Sequence, residues 1–133
     1  MTQDREKLQI YTTVLMLHIA SVDGDIDTSE INVIVDIVSD FFNITKKTAN
    51  ELIGKAEDLN KEMTDIYEVA SFVNNSFNLQ DKIDLLACYF EVAYADGNLD
   101  FTERHAIKQI ANILNINKEQ LKEAKNEIKK YLL

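Results

Sequence analysis

Apolar positions recur along the chain at intervals of three and four, in runs separated by short polar stretches, the pattern of amphipathic helices. The first run spans residues 5–22, with Leu8, Tyr11, Val14, Leu15, His18, Ile19 and Val22 on one face. Ile10 and Leu17 fall off that face, so this helix is expected to be buried on more than one side. It ends at Asp23-Gly24, and a second helix starts at Asp27 and carries Ile31, Ile34, Val35, Val38, Phe41 and Phe42. After the turn Asn43-Ile44-Thr45 comes a third, with Ala49, Leu52, Ile53, Ala56 and Leu59 at helical spacing. A helix over residues 65–76 follows, then one over 79–95 that is apolar almost all round towards its end and so expected near the centre. Ile107, Ile110, Ala111 and Leu114 mark the next, and Leu121, Ala124, Ile128, Tyr131 and Leu132 the last, capped by Asn117 with Gln120. No stretch alternates as a strand does. The expectation is an all-α single domain of about seven helices spanning residues 1–133.

These helices form two similar groups. Asp23-Gly24-Asp25-Ile26-Asp27-Thr28-Ser29-Glu30 returns as Asp96-Gly97-Asn98-Leu99-Asp100-Phe101-Thr102-Glu103. Ile19-Ala20 matches Val92-Ala93 before the loop, and Ile34 and Ile37 match Ile107 and Ile110 after it. With one residue dropped, Phe42-Asn43-Ile44-Thr45-Lys46 matches Leu114-Asn115-Ile116-Asn117-Lys118. This predicts a duplicated three-helix unit, with repeat one at about 5–59 and repeat two at about 79–132. The helix at about 65–76 has no counterpart and links them.

Composition narrows the setting. There is no proline and there are three glycines, two of them in the twin loops, so the helices have few interior breakers. Net charge is −9, which argues against nucleic acid as a partner and against anionic membrane surfaces. No Lys or Arg occurs in residues 8–45, whereas Lys is frequent from Lys118 to Lys130. The acidic region suits a metal cation or a protein partner with a basic surface. The apolar run at residues 10–22 is too short to span a bilayer, and Asp4 and Glu6 precede it where a signal peptide would be basic. The single cysteine, Cys88, lies in an apolar helical run and reads as a buried, inert thiol. A cytoplasmic protein is expected.

The acidic loops are the candidate site. A calcium EF-hand needs Gly at loop position six and Glu at twelve. Counted from Asp23 those positions hold Thr28 and Ile34, and counted from Asp96 they hold Phe101 and Ile107, so neither loop is an EF-hand. Gly C-caps, Asp N-caps and first-turn Glu explain Gly24, Asp27, Glu30, Gly97, Asp100 and Glu103 as helix termini. They leave Asp23, Asp25 and Asp96 unexplained. Carboxylates packed as in Asp23 to Glu30 repel one another unless solvated or bridged, and a hard cation such as Ca²⁺ or Mg²⁺ takes oxygen ligands of this kind. Both readings stand, with the first loop the better candidate because Asn98 replaces the central carboxylate of the second.

Little else carries chemistry. The two histidines, His18 and His105, have no Cys or His at metal-ligand spacing; His18 reads as a core histidine and His105 as solvent-facing. No nucleophile sits in an elbow or triad-like motif, and no glycine-rich phosphate cradle occurs. A non-enzymatic protein is expected. A hydrolase using the loop carboxylates with a metal is a lesser alternative.

Val92-Ala93-Tyr94-Ala95-Asp96-Gly97-Asn98-Leu99-Asp100, followed by Glu103 and the Ile107, Ile110 and Leu114 stripe, resembles the tellurite-resistance TerB family. Val22 stands where the family motif prefers Ala. The resemblance covers about residues 11–132 and implies an all-helical fold of two three-helix repeats with paired acidic motifs. It also implies a bacterial role around tellurite or general stress, with a divalent-cation or ligand site at the loops. On this chain that site is Asp23, Asp25, Asp27, Glu30, Asp96, Asp100 and Glu103. The remaining alternative is a protein-interaction or scaffold module whose acidic loops serve only as helix caps.

Overall fold

The computed structural model describes residues 2–22, 24, 26–62, 65–94 and 101–132. Among them the chain forms seven α-helices and no strand: α1 (Thr2–Ser21), α2 (Thr28–Phe42), α3 (Lys46–Glu62), α4 (Ile66–Ser76), α5 (Leu79–Ala93), α6 (Phe101–Ile113) and α7 (Lys118–Leu132). The all-α expectation holds, and α2 and α7 start directly after the caps read at Asp27 and Asn117. Asp27, Asp65 and Asn78 each sit in extended conformation, with a side-chain oxygen accepting from a backbone N–H of the first turn. At α7, Asn117 and Gln120 exchange reciprocal bonds of 2.8 and 3.0 Å, a capping box.

α1 is the hub. It packs against α2, α3, α4, α5 and α6, and Val14, Leu15, Met16 and Leu17 are all buried in succession. Four consecutive buried positions cannot lie on one helical face, so α1 is enclosed on all sides along this turn. α5 is the second pillar, packed on α1, α2, α6 and α7. The closest pairs are α1 with α3 and α5 with α7, the first and third helix of each half. Small residues sit at matched positions late in α1 and α5, where Ala20 and Ala93 are both buried. α4 packs against both α1 and α6. Its grip on α1 includes an edge-to-face pair of Tyr11 and Phe72, 5.2 Å between centroids, beneath the Lys7 ammonium.

The two halves also turn alike after their middle helices. Asn43 and Asn115 both adopt left-handed backbone, with φ of 53° and 59°. The next amide reaches back five residues in each case, Ile44 N–H to Ser39 C=O at 3.0 Å and Ile116 N–H to Ala111 C=O at 2.9 Å. This is a Schellman-type ending, and Asn tolerates the left-handed residue that Gly usually supplies. Lys82 adds a cation at the C-terminal end of α6, its ammonium donating to Asn74 Oδ1 at 2.6 Å and Leu114 C=O at 3.4 Å.

One core position carries a polar cost. Tyr89 is fully buried, and its hydroxyl has no hydrogen-bond partner among the described residues. Tyr89→Phe should therefore leave packing intact and raise stability by about 1 kcal/mol, because a buried hydroxyl without a partner retains its desolvation penalty. Equilibrium urea unfolding measures this, and a loss of stability would show that the hydroxyl is satisfied after all.

Candidate functional site

The first acidic loop is built by the ends of α1 and α2. Ser21 closes α1, its hydroxyl donating to His18 C=O at 3.2 Å, and Gly24 N–H donates to Ser21 C=O at 3.2 Å. Gly24 has φ +138°, a conformation that side-chain-bearing residues rarely adopt, which is why glycine stands there. Ile26 then packs against the core, setting the chain for Asp27 at the head of α2. Asp27 Oδ1 accepts from the Glu30 amide at 2.8 Å and from the Ser29 hydroxyl at 2.6 Å. The Asp27 amide in turn donates to Glu30 Oε1 at 3.4 Å, completing a capping box. The Ser29 hydroxyl first, and then the Glu30 amide, hold the Asp27 carboxyl below the usual carboxylate range.

Asp27 is exposed, but Glu30 is only 7% exposed, and Glu103, its match in the second half, is 1% exposed. A first-turn glutamate belongs on the surface if capping is its whole role, and charged groups are rarely buried. Burial of both is the feature of this site that residue spacing did not show. The structure thus brings Asp27 and Glu30 into direct contact and places Glu103 at the start of α6. Asp23, Asp25, Asp96 and Asp100 lie outside the described residues. Among the described residues no three His, Cys, Asp or Glu side chains converge as a metal-binding group.

His18 is half-buried in α1, and burial pushes its imidazole below the ordinary histidine range. His105 is exposed and stacks on Phe101 at 6.3 Å. Cys88 is half-buried; burial above all, then Glu91, Asp84 and Asp40, push its thiol up to about 12, so it is inert near neutral pH.

A second electrostatic feature lies along the seam where α2 packs on α5. Burial first, then Asp40 and Asp36 across the seam, push the Glu91 carboxyl above its ordinary range. The absence of Lys and Arg from residues 8–45 foreshadowed an acidic α2, but its convergence with Glu91 depends on helix packing. In the unfolded chain Glu91 ionises at its ordinary pKa, so its ionisation in the fold opposes stability above that value. Glu91→Gln should accordingly melt higher than the parent at pH 7, with the difference shrinking through the raised folded pKa and gone below about pH 4. Thermal melts across that range check the sign, and a Glu91→Gln protein less stable at pH 7 would refute it.

No helix among the described residues is long and apolar enough to cross a membrane. A protein-family model described as "Tellurite resistance protein TerB" matches residues 9–126. No curated protein and no solved structure matches the chain.

Proposed function

The chain belongs to the TerB family of tellurite resistance proteins, and from that premise we propose that it is a non-enzymatic, stress-related domain binding a divalent cation at its acidic loops. The observation that carries this reading is the burial of Glu30 and Glu103, a carboxylate drawn into the fold at the head of α2 and again at the head of α6. Each of these glutamates follows an aspartate-bearing stretch of sequence, Asp23 to Asp27 and Asp96 to Asp100, so carboxylates are concentrated along the chain ahead of both helices. The donors are all oxygen, which suits Ca²⁺ or Mg²⁺ rather than a softer metal. Asp27 makes its cap through Oδ1, so it would offer Oδ2 to the ion, with Asp23 and Asp25 supplying further oxygens. Asp96, Asp100 and Glu103 would do the same at the second loop. A bound cation would relieve carboxylate repulsion and fix the angle between α1 and α2, presenting the acidic α2–α5 seam to a basic partner surface. The non-enzymatic reading draws on the lack of a nucleophile–base arrangement in the sequence.

Calorimetric titration of chelator-stripped protein with Ca²⁺ and with Mg²⁺ tests this. Saturable heat that disappears in Asp23→Asn with Asp25→Asn is expected, and a flat titration with both ions would sink the proposal. One observation favours a second reading, a protein-interaction module whose loops are caps only: the capping box of α2 is complete with Asp27 and Glu30 alone.

A further inference from the structure

In the first half of the fold the second and third helices, α2 and α3, pack together; their counterparts α6 and α7 barely touch among the described residues. Between them lies an open groove of about 910 Å³, at the upper end of the range for binding pockets, about 300–1,000 Å³. Phe90, Ala111 and Ile116 form its floor, and half-buried Leu121 one wall. Its rim is basic. Arg104 and Lys108 stand on the α6 side, and Lys118, Lys122 and Lys125 on the α7 side, whereas among the described residues no Asp or Glu lines it. Arg104, Lys108, Lys118 and Lys122 make no ion pair with any described residue. In a chain of net charge −9 with 14 Lys and Arg in all, gathering five cations around one apolar floor gives a face opposite in sign to the rest. Phe101, 80% exposed and stacked on His105, stands near its edge, the kind of aromatic that anchors partners.

We propose that this groove receives an acidic amphipathic helix of a partner protein, lying between α6 and α7. An apolar residue or two of that helix, spaced i, i+3 or i+4, would meet the floor and Leu121, and its carboxylates would meet the lysines and Arg104. The chemistry selects this occupant. Arg104, Lys108, Lys118 and Lys122 sit on long exposed stems at the rim, a geometry for the scattered carboxylates of a helix, while the floor asks for an apolar side chain. A nucleic acid strand would bring no such apolar anchor and would be repelled by the acidic remainder of the molecule. None of the carboxylates assigned to the cation site is among the groove's described lining residues, and the proposal does not depend on a cation at the loops.

Fluorescence anisotropy with a labelled synthetic helix, leucine at i, i+3, i+4 and i+7 and glutamate flanking, tests the proposal against a twin with lysine for every glutamate. The glutamate helix should bind, more weakly as salt rises, and the lysine twin should not. Lys108→Glu with Lys122→Glu should weaken binding about tenfold or more with the melting temperature unchanged, and Lys108→Gln with Lys122→Gln should fall between. Serine for the peptide's leucines should also weaken it. Equal binding of both twins, or indifference to the charge reversal, would overturn the proposal. So would tighter binding of an oligo-dT strand than of the helix, or a parent protein that sediments as a dimer and is freed by the reversal, since the groove would then serve nucleic acid or a second copy.

Discussion

Leu17→Ala is expected to lower unfolding free energy by about 3 to 4 kcal/mol, the largest single-residue loss proposed for this fold. Leu17 is fully buried in α1, and α1 is the helix that five others pack against. Truncation removes the transfer energy of the leucine side chain and leaves a cavity whose walls belong to several helices, which limits collapse around it. Leu121, half-buried at the wall of the α6–α7 groove, is the control: Leu121→Ala should cost about 1 kcal/mol, because less apolar surface was removed from water to begin with. Equilibrium urea unfolding with unchanged slope separates the two. A Leu17→Ala loss as small as that of Leu121→Ala would mean that α1 is not the load centre its burial indicates.

Leu17 also marks how far the helical pattern carries. Its place off the main face of α1 predicted burial on more than one side, and the enclosure of residues 14–17 bears this out. Seven helices and the Asp27 and Asn117 caps were readable because they depend on neighbours within a turn. The left-handed Asn43 and Asn115 were not, since an Asn in a short turn is compatible with several conformations and only the 6→1 bonds of Ile44 and Ile116 select this one. The site divides in the same way. The Asp27–Glu30 capping box is local and was legible, whereas the burial of Glu30 and Glu103 is set by what packs over each helix start. The basic groove was visible only as a late excess of Lys from Lys118 onward. Its partner cations Arg104 and Lys108 come from another helix, and the parting of α6 from α7 leaves no periodic trace.

Chelator-stripped protein should melt at a higher temperature when Ca²⁺ or Mg²⁺ is added at fixed ionic strength, and the rise should saturate and differ between ions. A ligand that binds the native state alone stabilises it by about 2.7 kcal/mol at a hundred times its dissociation constant, which for a chain of this size is a rise of about 10 °C. Screening is the competing effect. With a net charge of −9, any added salt weakens self-repulsion, but it does so without saturating and alike for ions of equal valence. Asp23→Asn with Asp25→Asn separates the two: it should abolish the ion-selective rise and raise the ion-free melting temperature, because the repulsion that the cation relieves is then already gone. Asp27→Ala should lower the melting temperature without the ion, because the α2 cap is lost, and lower it further with the ion present, because Oδ2 is lost as a ligand; an equal loss in both conditions would mark Asp27 as a cap alone. If every divalent salt gives the same small rise in the parent and in the Asp23→Asn, Asp25→Asn protein, the carboxylates are not ligands. The loops would then act as caps for α2 and α6, and the acidic α2–α5 seam would have to engage its basic partner without a metal switch.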